Sequence, residues 1–100
     1  MTIEWIKHTE NAVELRLNGK LDTISSPAVQ AELLQAAQEY TNLILNFENV
    51  PYISSAGLRT LLTVQKQVKR TDGTLTLASV TPAVMEVLAL TGFSSILNII

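Results

Sequence analysis

The chain of 100 residues contains no cysteine, which excludes disulfides, thiolate metal sites, iron–sulfur clusters and cysteine nucleophiles. It has no apolar run near the ~18 residues that a membrane-spanning helix needs. Seven basic and nine acidic residues give a net charge of -2 without a basic cluster, so no nucleic-acid or anionic-membrane contact is predicted. Glu4 and Glu10 near the amino terminus are atypical of a secretory signal. We therefore expect a cytoplasmic protein with no membrane span.

Catalytic and cofactor motifs are also missing. The four glycines form no glycine-rich loop for a dinucleotide or a phosphate. His8 is the only histidine and no acidic cluster has metal-ligand spacing, so neither a metal nor a cofactor is expected. There is no Gly-x-Ser-x-Gly elbow, and a hydrolytic serine would depend on His8 alone for its base. Asp22 and Glu48 are the candidates for a catalytic carboxylate pair, and turn formation and loop solvation explain both more simply.

The composition that remains is typical of a folded protein. Hydrophobic residues make up 47% of the chain and charged residues 16%. A chain of this length can bury one core, and a second independent core would be implausibly small. We predict a single domain over residues 1–100.

Hydrophobic periodicity predicts an initial hairpin and a central strand. Residues 2–8 and 12–18 alternate apolar and polar side chains, which is typical of strands with one wet face, and Asn11 lies in the turn between them. The run 43–47 is apolar on both sides of the pleat. Because such a run after a helix is typical of a parallel strand covered on both faces, we expect it at the centre of the sheet.

Two further strands are predicted over residues 74–80 and 96–100, and three helices are indicated by their start and stop signals. Ser25 and Ser26 offer N-cap oxygens to the first helix, and Pro27 suits its first position. The second helix is predicted from Ser54–Ser55 to Thr71. The third begins after a Thr81–Pro82 cap and ends at Gly92.

The resulting order, β-β-α-β-α-β-α-β, predicts an α/β fold with a mixed sheet that is parallel at its centre. Binding sites in such sheets lie at the carboxyl ends of the strands, where loops lead into helices. The loop over residues 48–57 is therefore the first place to look for function.

Within that loop, the segment Tyr52–Arg59 carries the strongest chemical signal. Ser54 and Ser55 meet the start of a helix, where a hydroxyl can cap free N–H groups. Ala56 and Gly57 leave the first helical turn open to close approach. A packing or access benefit should offset the roughly 1 kcal/mol that Gly57 costs the helix relative to alanine. Taken alone, the spacing favours a plain capped helix, with Ser54 as N-cap and Ser55 in the first turn.

A phosphate on one of these serines would act as a switch. It would carry about -1.5 to -2 charges at pH 7. At the positive end of the helix dipole the fold should tolerate that charge, whereas a partner packed over the loop would have to desolvate it. Neutral serine is thus predicted to permit docking and phosphoserine to block it.

The stretch from Leu43 to Arg59, LILNFENVPYISSAGLR, resembles the signature of STAS domains, and specifically of the small anti-sigma-factor antagonists. Their pattern is an apolar strand, an Asp or Asn, a short loop, an aromatic–aliphatic pair, and Asp-Ser-Ser/Ala-Gly-Leu at a helix start. Gly19–Asp22 also resembles the family's Gly-x-Leu-Asp motif after the second strand. The resemblance covers nearly the whole chain and implies a STAS-like fold.

The resemblance also implies a non-catalytic regulator. Such a protein binds an ATP-dependent serine kinase, the anti-sigma factor, which phosphorylates the serine before a small residue and Gly-Leu. That acceptor maps to Ser55, and a PP2C-type phosphatase would restore it. The unphosphorylated form would sequester the kinase and free a sigma factor or another target.

The implied docking surface combines the end of one loop with the start of the second helix. Its residues are Asp22, Thr23, Ser54, Ser55, Ala56, Gly57 and Leu58. At Ser54 the family often has Asp; a hydroxyl can still cap the helix, and it makes Ser54 a second candidate acceptor. Asn46 fits the polar position at the strand end and is expected to hold the loop by side-chain hydrogen bonds.

Three other functions stay open. A STAS subunit of a transport complex would dock on an ATPase without being phosphorylated, and a structural adaptor would have no switch. A serine hydrolase should react with a fluorophosphonate probe, and no labelling is expected.

Overall fold

The computed structural model describes all 100 residues and shows strands alternating with helices after an initial hairpin. The strands are β1 (Thr2–Lys7), β2 (Ala12–Asn18), β3 (Asn42–Asn49), β4 (Thr74–Ala78) and β5 (Asn98–Ile99). The helices are α1 (Ser26–Glu39), α2 (Ser55–Arg70) and α3 (Pro82–Leu90), with a 3-10 turn over Phe93–Ser95. The predicted order of strands and α-helices is confirmed, and the 3-10 turn is an addition to it.

The five strands form one sheet in the order β1-β2-β3-β4-β5. β1 pairs antiparallel with β2, while β2 to β5 are parallel to their neighbours. The predicted mixed sheet with a parallel centre is therefore confirmed. Because consecutive parallel strands are joined by right-handed crossovers, the three helices are placed on one face of the sheet.

Burial along the strands agrees with this one-sided arrangement. The buried side chains alternate along β2, β3 and β4: Val13, Leu15, Leu17, Leu43, Leu45, Phe47, Leu75 and Leu77. They join the buried residues of the helices in one cluster of 22 residues. The prediction that the third strand is covered on both faces is wrong. On its second face Ile44 and Asn46 are only half-buried, because no helix packs there.

The strand boundaries differ from the prediction in four strands. β3 extends from Asn42 to Asn49, beyond the apolar run at 43–47. β1 ends at Lys7 rather than at residue 8. β4 ends at Ala78 rather than at residue 80, since Ser79 has a left-handed backbone with φ of 55°. β5 has only two residues, because the chain first forms the 3-10 turn and then places Leu97 in the core.

Both ends of α3 lie where they were predicted. Thr81 is the N-cap residue and Pro82 the first residue of the helix, but the Thr81 hydroxyl does not bond to the first turn; its Oγ1 donates instead to the Val50 carbonyl at 3.0 Å. That bond ties the β4–α3 loop to the β3–α2 loop. Gly92 follows the helix with φ of 81°, the left-handed conformation that ends many helices. No helix of the structure has the length and apolar character needed to cross a membrane.

Candidate functional site

The candidate site lies at the carboxyl ends of β2 and β3, where the loops over residues 19–25 and 50–54 run side by side. Leu21 and Ile53 form an isolated parallel bridge. The Leu21 N–H donates to the Tyr52 carbonyl at 3.0 Å, and the Ser54 N–H donates to the Leu21 carbonyl at 2.9 Å. The two loops are therefore held together by their backbones, beyond the last residues of the strands that carry them.

Gly57 lies directly beneath this pair of loops. A Cβ atom there would be 2.8 Å from Ile53 Cγ1, 2.8 Å from the Leu21 carbonyl oxygen and 2.9 Å from Leu21 Cγ. These separations are shorter than van der Waals contact. The benefit that offsets the low helix propensity of Gly57 is thus internal packing, which brings the first turn of α2 against both loops.

Asp22 shapes the first loop through its own side chain. Its Oδ1 accepts hydrogen bonds from the Ile24 N–H at 3.1 Å and the Ser25 N–H at 3.0 Å. These bonds, led by the one from Ser25, lower the pKa of Asp22 below its ordinary value of 3.8, so the carboxylate is ionised at neutral pH. Asp22 directly follows Leu21, the residue whose backbone pairs with Tyr52 and Ser54.

Ser25 does not cap α1 with its side chain, contrary to the prediction. Its Oγ donates to the Lys20 carbonyl at 2.7 Å and accepts from the Asp22 N–H at 3.1 Å. Ser26 is already the first residue of α1, and its buried hydroxyl has no hydrogen-bond partner. The two serines predicted to start α1 thus differ in role, because Ser25 is used to close the loop.

Ser54 and Ser55 have different environments. Ser54 is half-buried and is the N-cap of α2, where its Oγ accepts from the Gly57 N–H at 3.3 Å. Ser55 is the first helical residue; its side chain is exposed, with no hydrogen bond inside the chain. The first turn of α2 holds no acidic residue, while Lys69 and Arg70 lie in its last turn. No acidic side chain of α2 itself therefore offsets the positive end of its dipole next to Ser55.

The residues predicted to form the docking surface fall into three groups by exposure. Thr23 and Ser55 are exposed, and the half-buried members are Asp22, Ser54 and Ala56. Gly57 and Leu58 are buried. These two residues support the surface from inside the molecule in this structure rather than forming part of it.

Two apolar side chains in the same loops, Ile24 and Tyr52, were not among the residues predicted to form the docking surface. Ile24 is 90% exposed and Tyr52 is 50% exposed. The sequence did contain a signal, since Tyr52 lies in the loop predicted over residues 48–57 and Ile24 lies between the predicted second strand and first helix. Only the structure shows that neither packs into the core.

Thr23 and Ala56 line one shallow groove between the first halves of α1 and α2. Across its floor, the buried Thr60 hydroxyl donates to Gln30 Oε1 at 3.3 Å. Every other lining side chain is small or uncharged except Arg59, which is exposed. The groove therefore continues the surface around Ser55 and carries a single positive charge.

On the open face of the sheet, Asn46 lies inside β3, which continues to Asn49, so its side chain bonds within the sheet and does not hold the loop as predicted. Its Oδ1 accepts from the Glu48 N–H at 2.9 Å, and its Nδ2 donates to Glu14 Oε2 at 3.0 Å. Glu14 also accepts from Arg16 Nε at 3.0 Å and contacts His8 Nε2 at 2.9 Å. These bonds, led by the one from Asn46, lower the pKa of Glu14 from 4.5 to about 2.

His8 lies at the wrong end of the sheet to serve Ser55 as a base. It precedes β2, whereas the candidate site follows β2. Seven residues of strand, at about 3.3 Å each, separate the two ends. The carboxylate candidate Glu48 is exposed and its side chain makes no hydrogen bond within the chain. The structure contains no group of three His, Cys, Asp or Glu side chains placed to hold a metal ion.

A family model of the STAS domain matches residues 5–100. The chain belongs to the STAS domain family. Among curated proteins, it is 27% identical over 94 residues to the anti-sigma-B factor antagonist of Bacillus subtilis strain 168, covering 94% of this chain and 86% of the relative. It is 37% identical over 81 residues to BtrV of Bordetella bronchiseptica, and the match covers 80% of this chain and 70% of the relative.

Solved structures of anti-sigma factor antagonists share the fold of this STAS domain. The anti-sigma factor antagonist SpoIIAA in its unphosphorylated form superposes with a TM-score of 0.78 and 22% identity, over 99% of this chain and 87% of that one. The phosphorylated form of SpoIIAA from Bacillus superposes with a TM-score of 0.76 and 22% identity, over 99% of this chain and 91% of that one. The fold expected from the motifs is therefore confirmed.

Proposed function

We propose that this STAS domain is a phosphorylation-switched binding protein acting in the cytoplasm. Its unphosphorylated form binds an anti-sigma factor that is a serine kinase, and relieves the inhibition of a sigma factor or another target. The kinase transfers the γ-phosphoryl group of ATP to Ser55 Oγ, which loses its proton, and ADP leaves. A PP2C-type phosphatase hydrolyses the ester with water and returns serine and inorganic phosphate. The relatives named as anti-sigma factor antagonists support this role.

The observation that carries the proposal is the contrast between the two serines. The Ser55 hydroxyl is exposed and free at the first residue of α2, whereas the Ser54 hydroxyl accepts the Gly57 N–H. A kinase can reach Ser55 without breaking a hydrogen bond of the fold. Phosphorylation of Ser54 would disturb the cap, so Ser55 is the preferred acceptor and Ser54 the second.

The position of Ser55 explains how one phosphate can block binding without unfolding the protein. At the amino end of α2 the phosphate meets unpaired N–H groups and the positive end of the dipole. A partner covering the same surface would have to strip water from a dianion, and such burial is costly without a compensating cation. The switch therefore acts on the interface and leaves the fold intact.

The surface around Ser55 suits a protein partner. Ile24 and Tyr52 expose apolar area in the two loops of the site, and exposed apolar residues beside polar ones are common in binding surfaces. Asp22 and Thr23 border this surface, and backbone hydrogen bonds hold the two loops against each other. A preformed surface loses little conformational entropy when it binds.

The decisive experiment compares four forms of the full chain as baits in lysate from the source organism: wild type, Ser55→Ala, Ser55→Asp and Ser94→Asp. Ser94 is exposed in the 3-10 turn, so Ser94→Asp adds the same charge away from the site. We expect an ATP-binding serine kinase with wild type, Ser55→Ala and Ser94→Asp, and its loss with Ser55→Asp. Equal recovery by Ser55→Ala and Ser55→Asp would contradict the switch, and recovery of transporter subunits by all four baits would favour a transport complex.

Intact mass measures the modification itself. Incubation with the captured kinase and ATP should add about 80 Da to wild type and to Ser54→Ala but not to Ser55→Ala. A PP2C-type phosphatase should remove the added mass. Modification of Ser55→Ala with loss of the signal in Ser54→Ala would instead assign the acceptor to Ser54.

A further inference from the structure

Arg59 lies one helical turn after Ser55 on α2. Residues four apart on a helix have Cβ atoms about 5–6 Å from each other and share a face. Helical side chains also lean towards the amino end of their helix, so a long side chain covers the turn before its own Cα. The guanidinium of Arg59 is thus within reach of the space next to the Ser55 hydroxyl.

The guanidinium has no partner inside the chain. The ion pairs of the structure join Lys7 to Glu10, and both His8 and Arg16 to Glu14. Arg59 is exposed, takes part in no hydrogen bond, and is the only charged side chain that lines the groove between α1 and α2. An acidic partner on the first turn of α2 is also missing.

We propose that Arg59 is the intramolecular counterion of a phosphate on Ser55. This inference rests on the proposed function, which supplies the phosphoryl group from ATP. A phosphoserine followed four residues later by a cation has the favourable polarity for a helical ion pair. The planar guanidinium can bind two phosphate oxygens at once. A phosphate on Ser54 would lie outside the helix and five residues away, so the pair is specific for Ser55.

The pair gives the switch a second effect. Phosphorylation adds negative charge at Ser55 and also draws the single cation of the groove towards that charge. Both changes fall on the surface proposed to bind the partner. The phosphorylated surface therefore differs in the position of a positive charge as well as in the presence of a negative one.

Other charged side chains lie in the neighbouring segments. Lys20 and Asp22 belong to the loop that pairs with residues 52–54, and Glu48 lies at the end of β3. Lys20 is the alternative counterion, and the two carboxylates would raise the proton affinity of the phosphate. A test must therefore separate Arg59 from Lys20.

The test uses the full chain with phosphoserine incorporated at position 55, titrated between pH 4 and 8 at low salt and followed by ³¹P NMR. The phosphate of phosphoserine ordinarily has its second pKa near about 6. Because a cation favours the dianion, Arg59→Gln should raise that pKa by about 0.3–0.5 units, a two- to threefold gain in proton affinity. Arg59→Lys should keep most of the wild-type value, and about 1 M NaCl should remove the difference.

Two variants serve as controls. Lys66→Gln removes an exposed cation from the same helix, about 10 Å further along its axis, and should not change the titration. Lys20→Gln should have at most a small effect. The proposal is overturned if Arg59→Gln titrates like wild type, or if the shift follows Lys20→Gln. The titration needs no partner, so this result is independent of whether Ser55→Asp loses the kinase.

Discussion

Gly57 determines how closely α2 approaches the two loops of the site. In Gly57→Ala the new methyl group would meet Leu21 and Ile53 at less than 3 Å. Alanine improves helix propensity by roughly 1 kcal/mol, but overpacking of this kind costs about 1–3 kcal/mol. We expect a net loss of about 1 kcal/mol in the free energy of unfolding, measured by urea denaturation with Trp5 fluorescence.

Ala56→Gly is the matched control for that substitution. It weakens the same helical turn by roughly 1 kcal/mol without adding an atom near the loops. Amide NMR shifts at Leu21 and Ile53 should therefore move in Gly57→Ala and stay in place in Ala56→Gly. A Gly57→Ala protein more stable than wild type by roughly 1 kcal/mol would show that the loops yield at no cost.

Glu14 gives folding a defined pH dependence. Its pKa is lowered from 4.5 to about 2 in the folded protein, so the unfolded chain binds a proton more readily. The stabilisation is complete above pH 4.5 and is lost as the pH falls towards 2. Glu14→Gln should reduce the free energy of unfolding at pH 7 by on the order of 2 kcal/mol, and the difference from wild type should vanish near pH 2.

The control for that experiment is Glu10→Gln. Glu10 is 89% exposed in its pair with Lys7, and such pairs contribute little. The free energy of unfolding of Glu10→Gln should equal that of wild type at every pH. A difference between Glu14→Gln and wild type that stays constant from pH 7 to pH 2 would rule out titration of Glu14 as the cause.

Among the helices, α2 depends on Ser54 for its first turn. Ser54→Ala removes the oxygen that accepts the Gly57 N–H, and the loss of an N-cap costs about 1 kcal/mol. Ser54→Asp keeps an acceptor and adds a charge that suits the helix dipole, so its stability should equal or exceed wild type. Thermal unfolding measures both, and Ser94→Ala, an exposed serine outside the helices, should have no effect.

The three helix starts show which part of capping the sequence can predict. Ser54 caps α2 as predicted, and its hydroxyl makes no other hydrogen bond within the chain. Ser25 and Thr81 occupy equivalent places before α1 and α3, yet their hydroxyls bond to the carbonyls of Lys20 and Val50. The residue types were enough to predict where the helices begin. The folded loops around each hydroxyl decided which atom it binds.

For the molecule as a whole, the carboxyl-terminal segment completes the core despite its short strand. Leu97 is 6% exposed, whereas the neighbouring Ile96 is 52% exposed. Leu97→Ala should lower the free energy of unfolding by about 2–3 kcal/mol through the cavity it leaves. Ile96→Ala should change it by less than about 0.5 kcal/mol. Equal losses in the two variants, measured by urea denaturation, would place this segment outside the cooperative core.

The overall architecture follows from features that neighbouring residues carry. Alternation in residues 12–18, the apolar run at 43–47 and the helix start at Ser54–Ser55, together with similar local signals in the other elements, predicted the order of elements and the parallel centre. The covering of the sheet was not predictable from β3 alone, whose apolar pattern suggested two buried faces. Its open face results from the hand and order of all the crossovers, which no single segment contains.

The sequence by itself determined the family motif, the element order and the serine pair at the start of α2, because these depend on residue type and short-range spacing. The tertiary structure decided that Ser55 is exposed while Ser54 is engaged. It also decided that Gly57 and Leu58 face inwards and that Ile24 and Tyr52 remain exposed. These properties arise where loops distant in sequence meet at one edge of the sheet. Exposure and hydrogen bonding there depend on which atoms the fold brings within a few ångströms of each other.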